Sequence, residues 1–162
     1  MKFKLVTLIA IFLSCMSFSV SAQKWVDAIE LQQTKIQTLQ NKMFASNQRI
    51  LELDAKGGTV NLNSLDIHHT INTNLEAVQT ILTNLRIQQM LFEMITSSTQ
   101  ITNAKKLLDV RKSQLILELS LQAAVLQKQA KLSKDDQTTG FIFDARDLVI
   151  STRDLINTSF KY

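Results

Sequence analysis

The chain contains no proline, only three glycines among 162 residues, and a single cysteine. Because proline breaks helix interiors and glycine weakens them, their scarcity permits long uninterrupted helices. Cys15 lies in an apolar N-terminal stretch, so the rest of the chain has no thiol for a disulfide or for a cysteine-ligated metal. Stability must come from packing, which is feasible because a domain of this size buries roughly 68% of the surface that its unfolded chain exposes. We predict one all-α domain over residues 23–162.

Residues 1–22 have the three parts of a secretory signal peptide. Two lysines within the first four residues make a short basic start, an apolar stretch follows over 5–20, and Val20-Ser21-Ala22 matches the small-x-small pattern that signal peptidases cut behind. We therefore expect the mature chain to begin at Gln23 and to lie outside the cytoplasm, in the periplasm.

Two alternatives would keep the N-terminal segment on the mature protein. A transmembrane anchor needs about 20 predominantly apolar residues, and this stretch is shorter and is interrupted by one threonine and three serines. A lipid anchor would use Cys15, but Phe12 occupies the position where lipoprotein signals usually have leucine. Lipid attachment at Cys15 remains the alternative to a soluble periplasmic protein.

Aromatic residues and charge argue against a nucleic-acid partner. Trp25 and Tyr162 are the only residues of their kinds, and without the leader 16 Lys and Arg face 14 Asp and Glu, a net charge of +2. Nucleic-acid binders usually carry a concentrated basic face with stacking aromatics. The densest basic pairs, Lys105-Lys106 and Arg111-Lys112, have no aromatic beside them. They are typical of a solvated helix face, with peripheral contact to acidic lipid headgroups at most.

A heptad stripe predicts the first helix over residues 24–56, which ends before Gly57-Gly58. Gln32 and Ser46 stand at skipped positions of the stripe, and three further apolar residues, Leu31, Phe44 and Leu51, widen it, which favours packing against more than one neighbour. The stripe consists of Trp25, Ile29, Ile36, Leu39, Met43, Ile50 and Leu53.

A second helix is predicted from Ser64, with Ser64 or Asn63 as its cap. Its apolar positions are Ile67, Ile71, Leu75, Val78, Leu82, Leu85, Phe92 and Ile95. The opposite face carries mostly uncharged polar residues, whereas solvated helices usually carry Lys and Glu. This face is a candidate contact surface for another protein, with Thr73, Thr80, Asn84 and Gln88 as its members. Compositional bias from an AT-rich genome is the competing explanation.

The third helix follows a weak point at residues 96–99, where the helix can kink or restart with Ser98 or Thr99 as a cap. If it continued unbroken, residues 64–132 would form one rod about 100 Å long. Its apolar positions include Ile101, Ala104, Leu108, Leu115, Leu119 and Val125 or Leu126, and a second set, Leu107, Leu117 and Leu121, broadens the stripe. The helix is predicted to end near Leu132.

Residues 133–140 are predicted to form a polar loop, and residues 141–160 the last helix. Arg146-Asp147-Leu148 is echoed by Arg153-Asp154-Leu155 seven residues later, which places both Arg-Asp pairs on one face. Arg146 and Arg153 are therefore candidates for ion pairs with a neighbouring helix or subunit. The architecture predicted from all four segments is an antiparallel bundle of three long helices and one shorter C-terminal helix.

No catalytic, metal-binding or cofactor-binding pattern is present in the sequence. His68 and His69 are adjacent and would point about 100° apart on a helix, so they cannot share a metal from one face. Gly57-Gly58 lacks the Lys-Ser or Lys-Thr of a phosphate loop, and no Gly-x-Ser-x-Gly motif presents a serine nucleophile. We predict a protein that is not an enzyme and has no cofactor.

After the leader, Lys35-Ile36-Gln37 and Leu39-Gln40-Asn41-Lys42 lie in a long Gln-rich amphipathic helix. This segment resembles the opening of exported helical proteins of bacterial conjugation systems, the minor-pilin-like, TraI-type components of type IV secretion machines. The resemblance implies a part in an envelope-spanning assembly or a pilus tip, and it transfers no functional residue.

Three functions are compatible with these features. The first is a structural or adaptor component of an envelope assembly, whose partners are other envelope proteins or further copies of itself. The second is a periplasmic holdase chaperone that holds clients between its helices. The third is a helical carrier of a hydrophobic ligand, with the broadly apolar segment 107–126 as the wall of its binding site.

Overall fold

The computed structural model describes the backbone of residues 2–95 and 97–159 and the side chains of residues 24–92, 94–95 and 97–158. Over these residues the chain forms four helices and no strand: α1 (Lys2–Ala55), α2 (Asn63–Glu93), α3 (Ser98–Leu132) and α4 (Asp136–Ser159). The prediction of an all-α bundle with a shorter C-terminal helix is confirmed. The signal-peptide prediction depends on the side chains of residues 1–22, and these side chains lie outside the part of the chain that the structure describes.

Helix α1 begins at Lys2, before the predicted start at residue 24, and it ends at Ala55, one residue before the predicted end. Gly57 has a φ of +73°, and the Gly58 amide donates to the Leu53 carbonyl at 2.9 Å. The Gly57 amide donates to the Asp54 carbonyl, also at 2.9 Å. Glycine favours this termination because a side chain at positive φ brings Cβ close to the backbone.

Gly57→Ala and Gly140→Ala are expected to change stability in opposite directions. Alanine at residue 57 would be forced into the left-handed region and should lower the free energy of unfolding by about 1–2 kcal/mol. Gly140 lies inside α4 with nothing within 4 Å of an added Cβ, so alanine should raise it by about 0.5–1 kcal/mol. Urea unfolding of both variants checks the pair, and equal signs would contradict these backbone assignments.

The segment between α2 and α3 is a true break, so residues 64–132 do not form one rod. At the end of α2 the Met94 amide donates to the Leu91 carbonyl at 3.1 Å, and the Ile95 amide donates to the Phe92 carbonyl at 3.2 Å. Ser97 has extended backbone angles and caps α3, and its carbonyl accepts from the Ile101 amide at 2.9 Å. The predicted cap at Ser98 or Thr99 is therefore wrong by one residue. The predicted break itself is confirmed.

The cap prediction for α2 is also wrong. Leu62 occupies the N-cap position and makes no side-chain cap hydrogen bond. Asn63 is the first helical residue, and Ser64 is buried with 2% of its surface exposed. Inward packing of the first turn thus decides where the helix begins.

Helix α4 begins five residues earlier than predicted. The Asp135 carboxylate accepts from the Thr138 amide at 2.7 Å, and the Asp135 carbonyl accepts from the Thr139 amide at 2.9 Å. This is the geometry of an aspartate N-cap. The cap extends the helix through Gly140, so the predicted loop over 133–140 is wrong and only residues 133–135 connect α3 to α4.

All four helices contribute to the core: α1 packs on α2 and α4, α2 and α4 pack on each other, and α3 packs on α4 and on α2. One ion pair and three hydrogen bonds join side chains of α1 to side chains of α2, and the residue numbers increase along α1 as they decrease along α2. The pairs are Glu30 with Arg86, Gln33 with Thr83, Gln40 with Asn72 and Asn47 with His68. Eleven large aliphatic side chains are fully buried: Ile29, Ile36, Ile71, Leu75, Leu82, Leu85, Leu115, Leu119, Leu126, Ile142 and Ile156. Among the described residues, α1 and α3 make no contact.

Two polar residues of the α1 heptad pattern are part of this core. Gln32 and Ser46 are each 5% exposed. The Gln32 amide nitrogen donates to the Leu148 carbonyl at 3.1 Å and to the Thr152 hydroxyl at 3.2 Å, and it also contacts the Ser151 hydroxyl. A position that the sequence marks as a gap in the stripe therefore joins α1 to α4.

The apolar residues predicted to widen the buried stripes are exposed instead. On α1, Leu31, Phe44 and Leu51 are 57%, 63% and 53% exposed, and Leu53 of the predicted heptad stripe is 54% exposed. The physical reason is that α1 has only α2 and α4 as neighbours over the described residues. The apolar face of α1 is therefore wider than the surface that α2 and α4 cover.

Candidate functional site

Three of the predicted contact residues lie together on the outward face of α2. Thr73, Thr80 and Asn84 are exposed, and their spacing by seven and four residues puts them on one side of the helix. The Thr73 hydroxyl donates to the His69 carbonyl at 3.1 Å, and the Thr80 hydroxyl donates to the Glu76 carbonyl at 2.9 Å. The hydroxyl protons are thus used within the helix, and the face offers mainly hydroxyl oxygens and an amide.

Gln88, the fourth predicted residue of this face, is partly buried. Its Oε1 atom is inaccessible to solvent and has no hydrogen-bond donor in reach among the described residues. A buried acceptor of this kind costs about 1–3 kcal/mol. Gln88 follows Asn84 by one helical turn, so the sequence places it on the same exposed face and does not predict this burial.

Arg146 and Arg153 bind the aspartates that follow them in the sequence. Arg146 lies 2.6 Å from Asp147, and Arg153 lies 2.7 Å from Asp154. Arg146 also donates to the Gln127 side chain of α3, and its guanidinium lies 4.8 Å from the centroid of the Phe143 ring. The two arginines therefore lie on α4, away from the threonines of α2, and Arg146 joins α4 to α3.

The outward face of α2 becomes apolar in its last two turns, which the sequence analysis did not anticipate. Ile87, Met90, Leu91 and Met94 are 49%, 58%, 58% and 77% exposed. Ile87 and Leu91 continue the line of Thr80 and Asn84 at helical spacing. The signal in the sequence is that these residues fall outside the buried period of the helix.

Six exposed apolar residues lie along one side of α3, and we call this line the α3 outer stripe. Each of its members is more than half exposed: Leu107 (73%), Val110 (59%), Leu117 (63%), Leu121 (60%), Val125 (52%) and Leu132 (72%). The buried stripe of α3 lies on the opposite side and faces the bundle: Leu115, Leu119, Ala123, Leu126 and Ala130. A helix that is apolar on both sides is normally covered on both sides. The prediction that Leu107, Leu117 and Leu121 broaden the packed stripe is wrong, because α4 and α2 cover one side only.

The positive charge of the chain is concentrated on the same helix. Helix α3 carries six Lys and Arg against two Asp and Glu, the largest excess of the four helices, whereas α1 has six against four, α2 one against three and α4 two against four. Four of the α3 cations are exposed, namely Lys106, Arg111, Lys128 and Lys131. The α3 outer stripe is therefore an apolar line with basic residues beside it.

His68 joins three helices at the end of the bundle near the α3–α4 connection. It is 1% exposed, its Nδ1 atom contacts the Asn47 side-chain oxygen, and its Nε2 atom lies 3.2 Å from the Thr138 hydroxyl. The ring meets Phe141 edge-on at 5.1 Å between centroids. His69, its neighbour in sequence, is exposed. The arrangement is that of a structural histidine in the core.

The surroundings of His68 shift two pKa values. Burial lowers the pKa of His68 below its ordinary value of 6.5, and the nearby Asp135 carboxylate raises it in part. Hydrogen bonds from the Thr138 hydroxyl and amide lower the pKa of Asp135. Neutral His68 is therefore the form that the folded protein prefers.

Stability is expected to fall as the pH drops from 7.5 to 5.5, because of His68. The unfolded chain takes up a proton near pH 6.5 while the folded chain resists it, so the free energy of unfolding decreases until the pH passes the lowered pKa of the folded state. His68→Gln should flatten this dependence, and His69→Gln, at an exposed position, should leave it unchanged. Urea titrations at several pH values measure the free energy of unfolding. If His68→Gln shows the same dependence on pH as the parent protein, His68 is not the group responsible.

A groove of about 490 Å³ lies on the surface between α1 and α4. Its charged lining residues are Lys35 and Lys42 on α1 and Asp144 and Asp147 on α4. In the described part of the chain, no group of three or more His, Cys, Asp or Glu residues is placed to hold a metal ion. The groove thus offers mixed charge at the surface rather than an enclosed apolar chamber.

None of the helices in the described residues combines the length and hydropathy that crossing a bilayer requires. Comparison of the chain with family models, with curated proteins and with solved structures found no match.

Proposed function

We propose that this protein is an exported, non-enzymatic structural or adaptor component of a bacterial envelope assembly, of the kind that serves conjugative type IV secretion. The observation that carries the proposal is the α3 outer stripe, together with the apolar end of α2. Exposed apolar patches of this extent typically mark protein–protein or membrane contacts. The leader-like residues 1–22 and the resemblance of the first helix to conjugation components support the compartment and the class of assembly.

A hydrophobic-ligand carrier fits the structure less well. The segment that would form its wall, residues 107–126, has Leu107, Leu117 and Leu121 exposed at the surface. The opposite side of the segment is filled by close-packed side chains, including Leu115 and Leu119.

A holdase chaperone is the second candidate, because an exposed apolar stripe could also bind unfolded clients. The two functions differ in selectivity. An adaptor recognises one partner surface, whereas a holdase binds many unrelated chains and suppresses their aggregation. Light scattering of a thermally unfolding client protein in the presence of this protein separates the two.

The proposal is tested by crosslinking in the native host with a C-terminally tagged protein, followed by mass spectrometry of the partners. We expect subunits of a secretion channel or pilus, and Leu117→Asn combined with Leu121→Asn should reduce their recovery. Phe44→Asn combined with Leu51→Asn, at similarly exposed positions on α1, is the matched control. Many unrelated outer-membrane clients would indicate a chaperone, and self-crosslinks alone would contradict the adaptor proposal.

The same preparation tests export. We expect the N-terminus of the recovered protein to be Gln23, as determined by intact mass and N-terminal peptide analysis. Recovery of a protein that starts at Met1 would contradict cleavage. A lipid-modified N-terminus at Cys15 would show the anchored form instead.

A further inference from the structure

The α3 outer stripe has the spacing of a helix-pairing seam. From Leu107 to Leu121 its members stand at the first and fourth positions of a heptad. Val125 and Leu132 continue the same side of the helix one position later, and Gln114 and Lys128 stand in line between the apolar residues. At a rise of 1.5 Å per residue the line is about 37 Å long. It is thus long enough for about three and a half heptads of a second helix.

The side chains of the stripe are four leucines and two valines, with no aromatic residue. Helices that lie in a membrane interface commonly place Trp or Phe with Leu on the buried face. Branched aliphatic side chains at heptad positions are instead typical of knobs-into-holes packing between helices. The composition favours a protein helix over a lipid surface.

The charges beside the stripe define which helix fits. Lys106 and Arg111 lie beside one end of the stripe and Lys131 beside the other, and Lys128 lies in line with it. Asp109 and Glu118 are the exposed acidic residues of this helix. Residues that flank such a seam select the partner by charge complementarity. A second copy of this chain would bring one basic border against another, and such like-charge pairs are destabilising.

We propose that the α3 outer stripe binds an amphipathic helix of a partner protein whose apolar seam is bordered by Asp and Glu. This inference rests on the adaptor function proposed above and specifies the partner chemistry at its interface. The stripe residues supply the apolar contact, and the four exposed cations supply orientation and selectivity.

The first test uses a synthetic helix as the probe and the protein purified from cells that express the full chain. A labelled peptide of about four heptads has Leu at the seam positions and Glu at the flanking positions. Its control is the same peptide with Lys in place of Glu. Fluorescence anisotropy is expected to give an affinity for the Glu peptide at least about tenfold above that for the Lys peptide, and added salt should weaken it.

Paired variants locate the binding surface. Leu117→Asn combined with Leu121→Asn should weaken binding of the Glu peptide by about tenfold or more, since both side chains lie at the centre of the stripe. Phe44→Asn combined with Leu51→Asn, on α1, should leave it unchanged. Lys128→Glu combined with Lys131→Glu should narrow the preference for the Glu peptide over the Lys peptide. Circular dichroism of each variant verifies that the bundle remains folded, which is expected because all six positions are exposed.

Four results would overturn the proposal. Equal affinity for the Glu and Lys peptides would show that charge does not select the partner. An equal loss of affinity in the α1 variant would show that binding is not specific to the α3 outer stripe. Binding to phosphatidylcholine–phosphatidylglycerol vesicles without binding to the Glu peptide would assign the stripe to a lipid surface. A dimer in sedimentation that is lost in the Leu117 and Leu121 variant would assign it to a second copy.

Failure of this inference is distinguishable from failure of the proposed function. A photo-crosslinking amino acid at residue 121 in the host identifies the segment that faces the stripe. An acidic-bordered helix from a protein outside any envelope assembly would support the inference and contradict the adaptor function. Capture of an envelope subunit through a segment that is not an acidic-bordered helix would support the adaptor function and contradict the inference.

Discussion

Replacing Leu82 with aspartate is expected to unfold the protein. Leu82 is fully buried in the α2 face of the core, beside Leu75 and Val78. A carboxylate there would lose its hydration with no cation of the core to pair with, at a cost of several kcal/mol. Because small domains are stable by about 5–15 kcal/mol, this single change removes much or all of the margin. Ile71→Asp, about three helical turns away on the same buried face of α2, should behave in the same way.

The measurement is thermal unfolding followed by circular dichroism at 222 nm. Asn84→Asp is the matched control, because it puts the same carboxylate on the same helix at an exposed position. Its unfolding free energy should stay within about 0.5 kcal/mol of the parent value. A Leu82→Asp protein that remained helical, monomeric and cooperatively folded would show that this face of α2 is not the core.

Leu119→Ala is expected to destabilise the bundle by about 2–5 kcal/mol, while Leu117→Ala and Leu121→Ala have little effect. Leu119 is fully buried against the bundle, and truncation would leave a cavity. Leu117 and Leu121 are 63% and 60% exposed, so truncation there removes side-chain atoms that already contact water. Changes at such positions usually stay within about 0.5 kcal/mol.

Urea unfolding of the three variants decides which side of α3 faces the bundle. Residues 117, 119 and 121 lie within one turn and a half, so helix propensity and sequence neighbourhood are nearly matched. A large loss for Leu121→Ala with a small loss for Leu119→Ala would mean that α3 is rotated by about half a turn, which would also remove the basis for the α3 outer stripe.

The candidate contact residues show how far a sequence can locate a surface. Thr73, Thr80 and Asn84 are exposed, as a polar line opposite an apolar stripe predicts. Gln88 continues that line by spacing but is partly buried with its Oε1 atom inaccessible. Arg146 was predicted to reach beyond its own helix, and it does so through Gln127 rather than through an ion pair. Side-chain partners of this kind depend on elements that come together only in the folded chain.

Local chemistry in the sequence was sufficient for the helical class, for the end of α1 and for the break between α2 and α3. The absence of proline, the glycine pair at 57–58 and the serine and threonine cluster at 96–99 each act on their own backbone, so no distant residue is needed. The start of α4 was missed although its signal is also local. Asp135 caps the helix through the Thr138 amide, and the single glycine at residue 140 does not break the helix that follows.

The sequence could not show that the second apolar set of α3 stays uncovered, although the main stripe that it predicts, with Leu115 and Leu119, is the buried one. Leu115, Leu119 and Leu126 on one side and Leu107, Leu117 and Leu121 on the other have the same chemistry and similar helical spacing. Burial of either side releases a similar amount of free energy per unit area, so the choice depends on where α4 and α2 present their own apolar surfaces. The docking of α3 against α4 buries one stripe and leaves the other, bordered by basic residues, facing the solvent.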